Sequence, residues 1–294
     1  MAIRRFRPED AGALAALAAA CARGEPDFVL HPLWETEEEL FADFERHGIE
    51  PEEHLLVADA GDGRVVGAAG FLRFPRDTAA ALIPPVVERR ARGQGLGGSL
   101  LRGVLELGQE LHVKHASAAI GSRNRAGYSL LAAYGFRPVR QHFLMRCDRA
   151  LAPAVAEPAG ISLAPAAPED LAAISELYAE AGFPERTPEA MARALADGDH
   201  VHAVARSDGE VIGFVELDAF SKRRVWVSFV GVARDLRERG VGSAIVRFAL
   251  ARAFAGGADH ALLLLSPTNR AAVRAYEKAG FRRHRLIDVL ERGL

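Results

Sequence analysis

Six residues, Arg237-Glu238-Arg239-Gly240-Val241-Gly242, have the types and spacing to do chemistry. They follow an apolar run, Val225 to Val232, and precede a helical pattern in which Val241, Ile245, Phe248 and Ala249 share a face. A strand stops, the chain turns through glycines, and a helix begins. The first N–H groups of that helix have no intrahelical partner, and the helix dipole favours negative charge beside them. Glycine removes the Cβ that would hold a phosphate away from those donors. The chemistry on offer is anion binding by the main chain. It is not that of a P-loop, because the Gly-Lys-Ser/Thr ending is absent.

The same arrangement occurs earlier as Arg92-Gly93-Gln94-Gly95-Leu96-Gly97, again between an apolar run and an amphipathic helix (Leu100, Leu101, Val104, Leu107, Leu111). From Arg92 to Arg237 the offset is 237 − 92 = 145 residues. Asn124-Arg-Ala-Gly, leading to Gly135-Phe136, and Asn269-Arg-Ala-Ala, leading to Gly280-Phe281, keep the same spacing, 269 − 124 = 145. Landmarks this far apart holding one offset mark an internal duplication.

The elements that must position these turns follow in order. In the first half, Ile3 to Arg7 reads as an edge strand, and Pro8-Glu9-Asp10 opens an alanine-rich helix closed near Gly24. A second helix spans about Thr36 to Arg46. Strands at His54 to Asp59 and Val65 to Phe71 flank the hairpin signal Gly61-Asp62-Gly63. Pro84 and Pro85 make the strand before the first turn irregular, since neither donates a ladder hydrogen bond. The helix from Gly95 to Leu111, a strand at Ala116 to Ile120, the Asn124 helix and a closing strand complete the half. Leu151 to Gly160, with Pro153 and Pro158, reads as a linker, and the second half repeats the order. The expected division is 1–150, a linker at 151–160, and 161–294, each half an α/β fold with a mixed sheet.

Composition narrows the function classes. A net charge of −2 over 294 residues gives no basic field for nucleic acid or an anionic membrane. Two distant cysteines, Cys21 and Cys147, point to a reducing compartment, and no apolar run approaches membrane-spanning length. A cytoplasmic protein is expected. His200 and His202 put two imidazoles on one strand face without an evident third ligand, so no metal is expected.

With its two glycine turns, this order resembles the GNAT superfamily of N-acetyltransferases. Its hallmark, Arg/Gln-x-x-Gly-x-Gly/Ala, is met by Arg237 to Gly242 and by Arg92 to Gly97. Its later pattern is met in full by Asn269, Ala272, Tyr276, Gly280 and Phe281. The resemblance covers nearly the whole chain as two tandem copies. It implies acetyl-CoA as co-substrate, its pyrophosphate on the turn and its pantetheine arm along Val230, Gly231 and Val232, with Asn269 in contact. It implies the same, in weakened form, for Val86, Val87, the Arg92 turn and Asn124. The resemblance further implies that a neutral amine attacks the thioester directly and that Tyr276 donates the proton that the departing thiolate takes. Both Tyr276 and Asn269 lie on one helix face.

Two departures from the family stand out. The counterpart of Tyr276 in the first half is Leu131, which has no proton to give; Tyr128 and Tyr134 lie about one turn to either side. For the general base, the strand before the turn offers only Trp226 and Ser228. Glu216 is the candidate, with Asp218 on the same face of the preceding strand. The reading is an N-acetyltransferase acting on a primary amine of a small molecule or peptide. The alternative is a catalytically silent acyl-CoA-binding or scaffold protein. The loops expected to shape the acceptor pocket are Glu25 to Trp34 and Phe183 to Thr187.

Overall fold

The computed structural model describes residues 2–61, 63–74, 77–183, 186–198, 200–221 and 223–294. Asp62 of the expected hairpin and residues 184 and 185 of the second loop lie outside them. The chain forms two compact units, Met1–His142 with Arg285–Leu294, and Phe143–His284.

Unit 1 runs β1 (Ala2–Arg5), α1 (Ala11–Cys21), α2 (Glu37–His47), α3 (Pro51–His54), β2 (Leu55–Asp59), β3 (Val65–Leu72), β4 (Ala79–Val87), α4 (Leu96–Glu110), β5 (His115–Gly121) and α5 (Arg125–Ala133). β6 (Arg137–Asp148) leads into unit 2. There follow β7 (Ser162–Pro165), α6 (Leu171–Glu180), α7 (Pro188–Ala196), β8 (Val201–Ser207), β9 (Glu210–Ser221), β10 (Arg224–Val232), α8 (Val241–Ala255), β11 (His260–Leu265), α9 (Arg270–Lys278) and β12 (Arg282–Gly293). Local chemistry sets the ends. Thr36 Oγ1 accepts the Glu39 N–H at the start of α2, and Gly48, at φ 65°, closes it. Asp10 and Asp170 accept the N–H of Arg7 and Ala167 at 2.8 and 2.9 Å, and so open the first helix of each unit.

The repeats and the compact units are different divisions of the chain. The last strand of each repeat is exchanged. β12, from the end of the second repeat, pairs antiparallel with β5 of unit 1 from Ile287↔Gly121 to Gly293↔His115. β6, from the end of the first repeat, pairs with β11 of unit 2 from Phe143↔Leu265 to Asp148↔His260. The unit 1 sheet is therefore ordered β1-β2-β3-β4-β5-β12, and that of unit 2 is β6-β11-β10-β9-β8-β7. No periodicity carries this, because either partner would accept the same alternating strand.

In each unit the central strands are parallel for three residues only, β4 with β5 at Ala79–Ala81 and β10 with β11 at Arg224–Trp226. Beyond those pairs they part. β10 also carries one extra residue, Ser228, between the pairs Val227↔Leu217 and Phe229↔Glu216. Such a bulge bends the strand away from its neighbour. In β4 the matching irregularity falls between Ile83 and Val86, which is how the sheet accommodates Pro84 and Pro85. In unit 2, Val215, Leu217, Val225 and Val227 pack under Ile245, Val246 and Ala249 of α8. Phe214 and Val204 face Ile174, Leu177, Tyr178 and Met191 of α6 and α7 on the other side.

Each unit holds one tryptophan, buried Trp34 in unit 1 and half-buried Trp226 in unit 2. Truncation before Arg285 strips β5 of a seven-residue partner. The unfolding midpoint reported by Trp34, measured in a Trp226→Phe background, should fall well below that reported by Trp226 in a Trp34→Phe background. Equal midpoints would contradict the exchanged sheet.

Candidate functional site

At the start of α8 the chain passes through two left-handed residues, Glu238 at φ 64° and Gly240 at φ 91°. That conformation turns successive N–H groups to one side. Among the described residues the N–H groups of Glu238 to Ser243 have no hydrogen-bond partner; the first to find one in the helix is Ala244, on Gly240 O. Six unsatisfied donors at the positive end of a fifteen-residue helix form an anion-binding nest. Nothing lies within 4 Å of where a Gly240 side chain would begin, so the nest is open. Arg237 takes a different part from the one its motif position suggests. Its Nε donates to Val232 O at 2.9 Å and its Nη2 meets Glu180 at 3.3 Å, bracing the turn against the strand end.

The nest opens onto the gap between β10 and β11. Ala233 donates its N–H to Ile212 O on the β9 side, so by alternation Val232 and Val230 present theirs to the gap. The result is a slot of about 530 Å³. Of the residues expected from sequence, Val230, Gly231, Val232, Arg237 and Glu238 line it. Gly240, Gly242, Asn269 and Tyr276 do so from the turn and from α9. Arg239 is exposed, and Val241 turns into the core instead. Asn269 caps α9, its Oδ1 accepting the Ala272 N–H at 3.1 Å, which leaves its amide N–H₂ for a ligand. Half-buried Tyr276 packs edge-on against Phe281, ring centroids 5.6 Å apart. Desolvation raises its phenol pKa, so the group stays protonated at neutral pH.

Unit 1 repeats the turn with Gly93 at φ 76° and Gly95 at φ 79°, and Arg92 Nε again donates to the strand end, Val87 O, at 2.9 Å. Its slot is smaller, about 290 Å³, and is lined by Val86, Val87, Arg92, Gly93, Gly95, Leu96, Gly97 and Asn124. Three features set it apart from the slot of unit 2. Pro85 stands where Val230 stands in the second copy, so one of the two gap-facing donors is missing. The loop after α1 pairs with the free edge of β5, Leu30 donating to Ala119 O and Gly121 to Phe28 O, which occupies one wall. Asn124 is buried with both ends of its amide engaged, by the Gly127 N–H and by Phe28 O. Gln94 bonds Arg90 O. Neither nearby tyrosine replaces Leu131, for Tyr134 donates its hydroxyl to Gly98 O and Tyr128 does not line the slot. The proline and Leu131 were visible as departures in the sequence; the loop pairing is a long-range contact with no local signature.

A profile of the acetyltransferase (GNAT) family matches residues 21–136 and 169–281. The chain belongs to that family. A mycothiol acetyltransferase of Kytococcus sedentarius is 30% identical over 94% of this chain and 92% of its own length. One from Thermobispora bispora is 29% identical over 84% and 91%. A solved GCN5-related N-acetyltransferase of Sphaerobacter thermophilus superposes with a TM-score of 0.81 at 25% identity, over 99% of this chain and 95% of that one. Two tandem GNAT folds are thus present, and the family uses acetyl-CoA as co-substrate.

For this acetyltransferase the acidic candidate Glu216 does not line the slot. It is buried on the α6/α7 face of β9, and both of its oxygens accept from Arg186 Nη1, at 2.9 and 3.0 Å. Burial raises its pKa against the opposing pull of the guanidinium. Arg186 also lies over the Phe229 ring, 4.6 Å from its centroid. His202 is taken by Ala194 O at 3.0 Å, while His200 groups with Glu216 and Asp218.

Two outcomes follow. Glu238→Gly relieves a left-handed non-glycine residue and should leave stability unchanged or raise it by about 1 kcal/mol, as read by the denaturation midpoint. Arg186→Met should destabilise unit 2 by about 3 kcal/mol at neutral pH. A carboxyl whose folded pKa is raised favours the native state below its unfolded pKa and loses that contribution as pH rises. The deficit of the variant should therefore shrink on acidification. A pH-independent deficit would count against the pairing.

Proposed function

We propose that unit 2 transfers the acetyl group of acetyl-CoA to a primary amine of a small molecule or peptide, and that unit 1 carries a weakened copy of the site. The observation that carries this is the continuity of the slot. Two strand-edge donors, Val230 and Val232, run into a nest of six free N–H groups, with a protonated phenol alongside.

When bound, acetyl-CoA supplies a thioester carbonyl that a neutral amine attacks directly, so no covalent enzyme intermediate is required. The protein's share is positional and electrostatic. The N–H groups of residues 238–243 suit a diphosphate. Val230 and Val232 suit an extended amide chain laid along β10 in the manner of an added strand. Asn269 contributes its free amide N–H₂ beside that chain. Tyr276 holds a proton at its phenol oxygen for the thiolate that departs, a role in which an elevated pKa keeps the acid form present.

Relatives named mycothiol acetyltransferase support a small-molecule acceptor. The buried free thiols Cys21 and Cys147 support a reducing, cytoplasmic setting. Among the described residues no helix is long and apolar enough to cross a membrane.

Replacing Tyr276 with Phe should lower turnover by about 10²-fold or more, with the KM for acetyl-CoA held within a factor of about two. The measurement is thiol release from acetyl-CoA across a panel of primary amines. Unchanged turnover would remove Tyr276 from the mechanism. Tight acetyl-CoA binding with no thiol release from any amine would favour the silent acyl-CoA-binding alternative.

A further inference from the structure

On the α6/α7 face of unit 2, polar groups gather beside the bulge of β10. Glu216 and Asp218 stand two apart on β9, and Ser228 is the extra residue opposite them. One ligand atom each of His200, Glu216 and Asp218 lies within 4.8 Å of the others. Glu216 is fully engaged by Arg186. Asp218 is engaged on one side only, its Oδ2 accepting from the Ser228 hydroxyl. Among the described residues its Oδ1 is buried without a hydrogen bond; its neighbour is His200 Nδ1, 3.6 Å away, which is also buried and makes none.

A third orphan belongs to the same group. The Tyr178 side chain is 3% exposed, yet among the described residues its hydroxyl has no hydrogen bond. Arg186 Cζ sits 5.4 Å from its ring centroid, and its hydroxyl feels the charges of Arg186, Glu216 and Asp218. Buried polar atoms are rarely left unsatisfied, and three in one place ask for a missing partner.

The chemistry of that partner is constrained. Asp218 Oδ1 can only accept. His200 Nδ1 accepts when the ring proton is on Nε2, which faces Asp197 Oδ2 at 3.8 Å. The Tyr178 oxygen has free lone pairs. Arg186 and Glu216 offset each other, and Asp218 adds a second carboxylate whose Oδ1 faces His200 Nδ1 at 3.6 Å. A ligand with three donors and one positive charge fits, which is the description of a primary ammonium. Position agrees. Phe229, next to Ser228, packs on Tyr178 (4.8 Å) and Phe183 (5.0 Å), and Phe183 lines the acetyl-CoA slot.

We propose that Tyr178, His200 and Asp218 form the acceptor subsite of unit 2, taking the ammonium of a primary amine through its three N–H donors beside the Ser228 bulge. One of those protons passes to His200 Nδ1, which frees the nitrogen lone pair for attack on the thioester carbon. This rests on the acetyl-transfer reading and names the group that selects the substrate. Glu216 positions rather than binds, by fixing Arg186 against the Tyr178 ring. A divalent cation is the weaker occupant, since it would have to draw Glu216 out of its pair with Arg186.

The test uses the full-length protein and two readouts. Phenethylamine, glucosamine, spermidine and glycyl-lysine are titrated by calorimetry without acetyl-CoA, with phenethyl alcohol as the uncharged control. The same amines are then assayed for thiol release. Tyr178→Phe is the cleanest variant, because its hydroxyl satisfies nothing in the fold and removing it leaves no orphan behind. Tyr178→Phe and Asp218→Asn should each weaken amine affinity, or raise the amine KM, at least about tenfold, with acetyl-CoA affinity unchanged.

Amine binding that is lost in the variants would support the subsite even if no thiol were released, in which case the transfer reading alone would fail. Amine-dependent thiol release with the KM unmoved in both variants would overturn the subsite and leave the transfer reading intact. No binding of any amine with no thiol release would remove both. Zinc or manganese binding that disappears in Asp218→Asn and His200→Gln, with no amine effect, would replace the ammonium subsite by a metal site.

Discussion

Everything in unit 2 depends on two parallel strands that stop pairing after three residues. β10 and β11 share hydrogen bonds only from Arg224 to Trp226, and the bulge at Ser228 then carries β10 away. A parallel sheet that remained paired would spend the donors of Val230 and Val232 internally and leave no slot. The parting costs ladder hydrogen bonds, which a ligand laid along the strand would restore. The helix start beyond it is the second half of the same device. Its N–H groups cannot be satisfied by the helix itself, and the left-handed residues Glu238 and Gly240 turn them toward the gap.

Comparison of the two units separates what holds the fold from what holds a ligand. Both have the parted strands, the left-handed turn and the arginine brace to the strand-end carbonyl. These belong to the architecture. They differ where chemistry would act. Unit 1 has Pro85 in place of a donor, Leu131 in place of a phenol, and a loop strand pressed on the edge of β5. Each change leaves the core intact, since Leu131 is buried and the prolines sit in an irregular stretch of β4. A duplicated fold can in this way exchange the groups lining its slot while its core stays packed.

Local features of the sequence were legible because local rules govern them. The glycine turns, the 145-residue offset and Tyr276 on the slot-facing side of α9 all follow from spacing along the chain. The placement of Glu216 was half legible. Alternation put it on one face with Asp218, but nothing near it in sequence announced Arg186, thirty residues earlier, as its partner. The two exchanged strands, the loop at Phe28 to Leu30 and the orphan hydroxyl of Tyr178 were out of reach for the same reason. They are decided by which surfaces meet after folding, and residue type alone does not encode the meeting.

The exchange of β12 also sets an order of events in the cell. Domains made on a ribosome generally fold as units, the first while the rest is still being translated. Here the strand that pairs with β5 follows the whole of unit 2 in sequence. The first unit must wait, with that edge bare, until residues 287–293 have been made and have cleared the exit tunnel. The second unit, complete at His284, can close its sheet before the first one does.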